Sequence, residues 1–142
     1  MDEMPGIEHS GDRLHVLVIE EDDATRSACM EIATQRGFAA EGVAEVNNAQ
    51  QLLRSHTVDL LLMELKASRR EGMQLLEEVK ALKPDTAIIV MTSTTTIGTA
   101  VEAMRGGATD YLTKPFLMEE LGTVLERAAN QHQASGASRR CA

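Results

Sequence analysis

Four groups of residues with reactive or ligand-binding side chains each follow a short apolar run of the sequence. They are Glu20–Asp23, Glu64, Thr92–Ser93 and Lys114–Pro115. Carboxylates are the ligands that a hard cation such as Mg²⁺ prefers. A hydroxyl and an ammonium group can bind the oxygens of a phosphoryl group. If the fold brings the four groups together, they form one small acidic site suited to phosphoryl chemistry.

The apolar runs that precede these groups have the length and composition of β-strands. Five such runs alternate with segments of helical periodicity, and three of them contain an uninterrupted apolar stretch: Val16–Ile19, Leu60–Met63 and Ala87–Met91. Continuous apolar runs are typical of parallel strands that are covered on both faces. The runs are Leu14–Ile19, Phe38–Ala44, Val58–Met63, Ala87–Met91 and Thr109–Leu112.

The segments between the runs carry apolar residues at helical spacing. In one of them, Ile97, Ala100, Val101 and Met104 fall at i, i+3, i+4 and i+7. The pattern is weakest around 46–55. Five β–α units in one short chain predict an α/β fold, a doubly wound parallel sheet with helices on both faces. Ligands of such sheets bind at the carboxyl ends of the strands, which is where the four groups lie.

Residues that cap or stop helices support these boundaries. Asp22 or Asp23 can cap the first helix, and one of Thr94–Thr96 can cap the fourth. Gly37 follows the first helix, and Gly106–Gly107 follows the fourth. The stops therefore agree with the alternation of strands and helices.

Composition limits the classes of function. The 142 residues carry a net charge of −8, which argues against a surface that tracks nucleic-acid phosphates. Aromatic residues make up only 2%, so the core must be aliphatic. No apolar run approaches the roughly 20 residues of a membrane helix. The N-terminus lacks the apolar segment of a secretory signal, and Cys29 and Cys141 form no disulfide framework. A cytoplasmic location is predicted.

The chain divides into three predicted segments. They are a disordered N-terminal segment over 1–12, a folded domain over 13–131, and a polar tail or start of a linker over 132–142. Surface positions are expected for the histidines, which show no ligand spacing: His9, His15, His56 and His132.

Three motifs carry a resemblance to a known family. They read VLVIEEDDATR, DLLLMEL and AVEAMRGGATDYLTKPF. Over about residues 13–129, the chain resembles the receiver domains of bacterial two-component response regulators. The last motif is especially similar to receivers attached to sigma-54-dependent transcriptional activators. The resemblance also implies the strand order 2-1-3-4-5 in a three-layer, flavodoxin-like sandwich.

The resemblance implies a role for each matching residue. Glu64 stands at the phosphoacceptor position, Thr92 at the switch hydroxyl, Tyr111 at the switch aromatic, and Lys114 at the lysine of the site. Two further matches are Arg26, at the start of the first helix, and Gly72, in the loop after the third strand. The carboxylates that would bind Mg²⁺ are Glu20, Glu21 and Glu64.

The three carboxylates depart from the family, in which the phosphoacceptor is aspartate and the acid pair is usually rich in aspartate. Each glutamate has one additional methylene, which moves its carboxylate by about 1.5 Å. A misplacement of about 1 Å can cost a reaction about a hundredfold in rate. We therefore expect a degenerate receiver that does not run the ordinary aspartyl-phosphate cycle.

Two resting states are consistent with this departure. The charge of Glu64 can mimic a phosphoryl group and draw Thr92 and Tyr111 inward, which is an active-like state. Alternatively, a Glu64–Lys114 ion pair satisfies the site and leaves an inactive-like state. Without a cation, crowding among the three carboxylates should raise the pKa of at least one of them.

The leading hypothesis for function is a signalling module that controls transcription through an output domain outside these residues. The expected partner surface spans 97–131, from the fourth helix to the fifth, and its partner is the output domain or a second copy of the chain. Whether a histidine kinase acts on it stays open, and no direct contact with nucleic acid or membrane is expected. The alternatives are a small phosphohydrolase on the same fold and a phosphorylatable receiver with an unusual acceptor. A flavin carrier is disfavoured, because four acids follow the first strand.

Overall fold

The computed structural model describes residues 13–65, 70–93 and 97–141, and within them strands and helices alternate strictly. The strands are β1 (His15–Ile19), β2 (Ala39–Val43), β3 (Leu60–Glu64), β4 (Ala87–Thr92) and β5 (Asp110–Thr113). The helices are α1 (Asp23–Gln35), α2 (Val46–Ser55), α3 (Arg70–Leu82), α4 (Ile97–Gly106) and α5 (Met118–Cys141).

The five strands form one parallel sheet in the order β2-β1-β3-β4-β5. This order confirms the predicted fold class. From β1 the chain first goes to β2 on one side of the sheet and then returns to β3 on the other side of β1. The strand order therefore reverses at β1. All five strands end at the same edge of the sheet, which we call the carboxyl edge.

The core has two aliphatic halves, one on each face of the sheet. Successive residues of a strand point to opposite faces, so Val16 and Val18 of β1 contribute to one half and Leu17 and Ile19 to the other. The first half packs against α1 and α5, and the second against α2, α3 and α4. Both faces are therefore covered, as the continuous apolar runs predict.

The helix ends follow the predicted residues where the structure describes them. Asp22 is the N-cap of α1, and its carboxylate accepts a hydrogen bond from the backbone N–H of Thr25 at 2.9 Å. Gly37 has a φ of 94° and Gly107 a φ of 116°, a conformation that favours glycine. The predicted cap at Thr94–Thr96 lies outside the described residues.

The prediction of a polar tail or the start of a linker over 132–142 stays a prediction. Helix α5 continues past residue 131 and ends at Cys141. The apolar stripe of Leu121, Leu125 and Ala128 extends by one turn to His132, which packs against the domain, and the helix does not end there. Residues 1–12 lie outside the described residues. In the part of the chain that the structure describes, no helix has the length and hydropathy to span a membrane.

Candidate functional site at the carboxyl edge

The carboxyl edge brings together three of the predicted site residues. Glu20 follows β1, Glu64 is the last residue of β3, and Lys114 follows β5. The backbone fixes their positions, because the N–H of Leu65 donates to Met91 at 2.7 Å and the N–H of Lys114 donates to Thr92 at 2.8 Å. The sheet register therefore sets the site, rather than the loops alone.

Lys114 bridges the two carboxylates. Its Nζ lies 2.6 Å from Oε1 of Glu20 and 3.1 Å from Oε2 of Glu64. The side chains of Lys114 and Glu64 are each 18% exposed, so both ion pairs are largely shielded from water. One ammonium group therefore compensates two carboxylates, and the trio has a net charge of −1 when all three groups are ionised.

Glu20 is the most buried member of the site, with a side chain only 1% exposed. A buried carboxylate is costly unless its oxygens are hydrogen-bonded and its charge is paired. Here Oε1 accepts from Lys114, and Oε2 accepts from the backbone N–H of Asp22 at 3.0 Å. Sequence reasoning missed this N–H, because a backbone donor leaves no signature in the residue types.

Arg26 of α1 stabilises the segment between β1 and α1 through two contacts. Its Nη1 donates to the backbone carbonyl of Glu20 at 2.9 Å, and its Nη2 lies 2.6 Å from Oδ1 of Asp23. Hydrogen bonds from the side chain and backbone of Thr25 lower the pKa of Asp22. The four-acid segment is therefore divided among separate partners, and only Glu20 enters the buried site.

Gly72 permits α3 to begin close to the end of β3. A Cβ at this position would lie 2.7 Å from Cδ1 of Leu65, the residue after Glu64. That separation is far below an ordinary carbon–carbon contact, so a larger residue would displace the end of the Leu65 side chain. Glycine at position 72 therefore leaves room for the Leu65 side chain beside α3.

The site shifts the pKa values of Glu64 and Lys114. Burial raises the pKa of Glu64, and the neighbouring Glu20 raises it further against the opposing effect of Lys114. Burial alone would lower the pKa of Lys114, but its hydrogen bonds to Glu20 and Glu64 outweigh this, and the pKa is raised. The pKa of Glu64 is raised, as expected, but burial is the largest cause and Glu20 is the one neighbouring carboxylate that contributes.

The pKa of Glu64 predicts a distinctive pH dependence of stability. Because this pKa is higher in the folded chain than its ordinary value of 4.5, the folded state binds a proton more readily than the unfolded state. As the pH falls from the folded pKa toward 4.5, Glu64 therefore contributes increasing stability. We expect the free energy of unfolding of the parent to rise relative to that of Glu64→Gln over this window. Urea titrations of both proteins across the window test this, and a constant difference would contradict it.

Two other predicted residues lie on the strands β4 and β5. Thr92 ends β4 and is buried, at 4% exposure, and its carbonyl anchors the Lys114 backbone. Tyr111 lies on the edge strand β5 and is 37% exposed.

Glu21 is exposed, whereas its neighbour Glu20 is buried. The predicted acid pair is therefore split between the interior and the surface.

The predicted metal set of Glu20, Glu21 and Glu64 does not form a metal site in this arrangement. Over residues 13–65, 70–93 and 97–141, no group of three acidic, histidine or cysteine side chains is placed to hold a metal ion. The physical reason is that the Lys114 ammonium binds both inward carboxylates and compensates the charge that a cation would compensate. As arranged, these residues do not fit a divalent cation.

A comparison with protein families identifies this architecture. The model of the response regulator receiver domain matches residues 16–126. The chain belongs to this family. Receiver domains of response regulators are generally signalling domains rather than enzymes, and they typically bind Mg²⁺. The resemblance in the sequence motifs is thereby confirmed for the receiver as a whole.

Two curated relatives are similar to this receiver over most of its length. The transcriptional regulatory protein ZraR of Escherichia coli (strain K12) is 35% identical over 120 residues, which are 82% of this chain and 26% of that protein. The DNA-binding transcriptional regulator NtrC of Azospirillum brasilense is 31% identical over 117 residues, which are 82% of this chain and 24% of that protein. The chain thus spans about a quarter of the length of these relatives.

A solved structure shows the same fold. A response regulator from Thermotoga maritima superimposes on this receiver with a TM-score of 0.79 at 22% identity. The superposition covers 83% of this chain and 98% of that one. At this identity the likeness concerns the fold alone.

Proposed function

We propose that this receiver is a signalling module that works without the ordinary aspartyl-phosphate cycle, with Glu64 at the position of the phosphoacceptor. The observation that carries the proposal is the bridging of Glu20 and Glu64 by Lys114. A carboxylate that attacks phosphorus needs a free oxygen in a set position. The additional methylene of Glu64 brings its carboxylate to the ammonium group and away from the position that an aspartate would give it.

The exposure of Tyr111 supports a resting, inactive-like state. Glu64 carries a charge of −1 when ionised, whereas a phosphoryl group carries about −1.5 to −2. In this arrangement the carboxylate of Glu64 is held in an ion pair with the Lys114 ammonium, which it shares with Glu20. The ring of Tyr111 is partly exposed on β5. The proposal therefore favours the second of the two resting states.

The output of the module is proposed from its relatives. The names of ZraR and NtrC describe transcriptional regulators, of which this chain matches about a quarter. We propose control of transcription in the cytoplasm through an output domain that these residues do not include. The net charge of −8 supports contact with nucleic acid through that output domain rather than through the receiver. A histidine kinase is not required by this proposal.

The proposed partner surface is the face formed by α4, β5 and α5. Large apolar side chains of these elements and of the connection before α5 are exposed, and the most exposed of them is Leu117 in that connection, at 68%. Such a patch is typical of a surface that another protein covers. Its occupant is proposed to be the output domain or a second copy of the receiver. Among the described side chains of these three elements, Val101, Met104, Tyr111 and Met118 are also exposed.

Treatment of the parent chain with acetyl phosphate tests the proposed function. In a buffer with Mg²⁺, we expect no adduct with the mass of a phosphoryl group, as measured by intact-protein mass spectrometry. A stable adduct on Glu64 would instead favour a phosphorylatable receiver with an unusual acceptor. Release of inorganic phosphate without an adduct, faster than in buffer alone, would favour the phosphohydrolase.

Calorimetric titration with Mg²⁺ tests the charge compensation by Lys114. We expect no saturable heat from the parent at millimolar metal, because the ammonium group already pairs with both inward carboxylates. Glu64→Gln is the matched control variant, and the heat measured on addition of Mg²⁺ should be the same as for the parent. Saturable heat that is present in the parent and absent from Glu64→Gln would place a metal at the site and contradict the expectation.

A further inference from the structure

His132 of α5 lies at the amino edge of the sheet, opposite the acidic site. Its Nε2 is 3.0 Å from Oδ1 of Asp59, the residue before β3, and its Nδ1 is 2.5 Å from the backbone carbonyl oxygen of Asp85, just before β4. The side chains of His132 and Asp59 are each 15% exposed. This contact joins the last helix to two segments that enter the centre of the sheet.

Both partners of the imidazole are hydrogen-bond acceptors. A backbone carbonyl can only accept, and an ionised carboxylate can only accept. A neutral imidazole has a single N–H and can donate to one of them, whereas an imidazolium has two and can donate to both. The geometry around His132 is therefore complete only when both ring nitrogens carry a proton.

Asp59 is held in place independently of His132. Its second oxygen, Oδ2, accepts a hydrogen bond from the backbone N–H of His15 at 2.8 Å, at the start of β1. The cavity beside His132 is lined by further charged groups, Lys83 and Asp85 from the connection between α3 and β4. The segment before β1 contributes the apolar Leu14. The carboxylate of Asp59 is thus a fixed acceptor, and the imidazole is the group that changes.

We propose that His132 is a proton-dependent latch that fixes the C-terminal part of α5 to the domain. In its doubly protonated form it donates to Asp59 and to the Asp85 carbonyl, and the helix beyond it is held against the amino edge. Loss of one proton breaks one of these bonds, and the helix beyond His132 opens more often. Histidine side chains in general change charge between about pH 5 and 8, so this is the range in which such a latch is tested.

Amide hydrogen exchange in peptides covering 130–141 tests the latch. After correction for the intrinsic exchange rate, we expect protection in the parent chain to be about tenfold greater at about pH 5.5 than at about pH 8, the effect of one charge-assisted hydrogen bond. In His132→Gln, which cannot gain a proton, protection should be the same at both pH values. Equal protection of the parent at both values would overturn the proposal.

Two further variants complete the test. His56→Gln changes a histidine on the exposed end of α2, which contacts neither Asp59 nor Asp85 among its hydrogen bonds, and it should behave as the parent. Asp59→Asn removes the fixed carboxylate and should abolish the pH dependence, as His132→Gln does. It provides the same comparison if His132→Gln does not fold, as judged by circular dichroism. Persistence of the pH dependence in either variant would show that another group is responsible.

Discussion

Replacing Glu64 with aspartate is expected to give a receiver that gains one phosphoryl group from acetyl phosphate in the presence of Mg²⁺. The change withdraws the carboxylate by about 1.5 Å, the length of one C–C bond. Its oxygen then moves away from the Lys114 ammonium, which lies 3.1 Å from Oε2 in the parent, toward the position that an aspartate of the family takes. We expect the rate of adduct formation to exceed that of the parent by at least about a hundredfold.

Intact-protein mass spectrometry over a time course measures this gain. Glu21→Asp is the matched control, because it makes the same chemical change at an exposed neighbour of the site. It should remain without an adduct, as should the parent. If the parent and Glu64→Asp form the adduct at the same rate, side-chain length does not decide the chemistry. If neither forms it, the site lacks another requirement for phosphoryl transfer.

Lys114→Met is expected to destabilise the fold by about 3–5 kcal/mol, the usual cost of removing one partner of a buried ion pair. The change removes the charged partner of the Glu20 carboxylate, which is 1% exposed and still accepts a hydrogen bond from the Asp22 N–H. The loss should be observed at neutral pH, because the pKa of Lys114 is raised and its charge is fully present below 10.5. Equilibrium unfolding in urea measures it.

A second substitution separates this effect from the loss of packing. Glu20→Gln combined with Lys114→Met removes the stranded charge, so the double variant should recover a large part of the lost stability. Lys80→Met, at an exposed position of α3, should change stability by less than about 0.5 kcal/mol. A Lys114→Met protein as stable as the Lys80→Met protein would show that Glu20 does not need its ammonium partner.

The fold was predictable because its signals are redundant along the chain. The apolar runs of β1, β3 and β4 are continuous, and glycines such as Gly37 and Gly107 stop the helices where the structure requires a positive φ. Once the strands are parallel, their carboxyl ends must meet, so the proximity of Glu64 and Lys114 follows from the strand assignment. No single residue had to be interpreted correctly for this result.

The division of the acid pair was not predictable from residue types. Glu20 and Glu21 have identical side chains, and only the direction of the chain after β1 decides that the first is buried and the second exposed. The predicted Mg²⁺ set of Glu20, Glu21 and Glu64 stays a prediction, and in this arrangement Glu21 is exposed while Lys114 pairs with the other two. Composition cannot show such a difference, which arises from backbone geometry and from the hydrogen bonds of Asp22 and Arg26.

The contact of His132 had a signal that the sequence analysis did not use. Its position continues the spacing of Leu121, Leu125 and Ala128, so it had to lie on the buried side of α5. The polar composition of the residues after 130 outweighed this periodicity in the prediction of a tail. Its partner Asp59 is distant in sequence, and no local pattern links the two.

The sharing of Lys114 between two carboxylates affects which ligands can bind at the carboxyl edge. An incoming anion that recruits the ammonium must take it from Glu20 or Glu64, and the carboxylate left behind is partly or wholly shut off from water. Binding of an anion is therefore favoured when the ligand also brings a positive charge or when Glu64 takes up a proton. At the carboxyl edge, the balance of charge therefore discriminates among ligands independently of their shape.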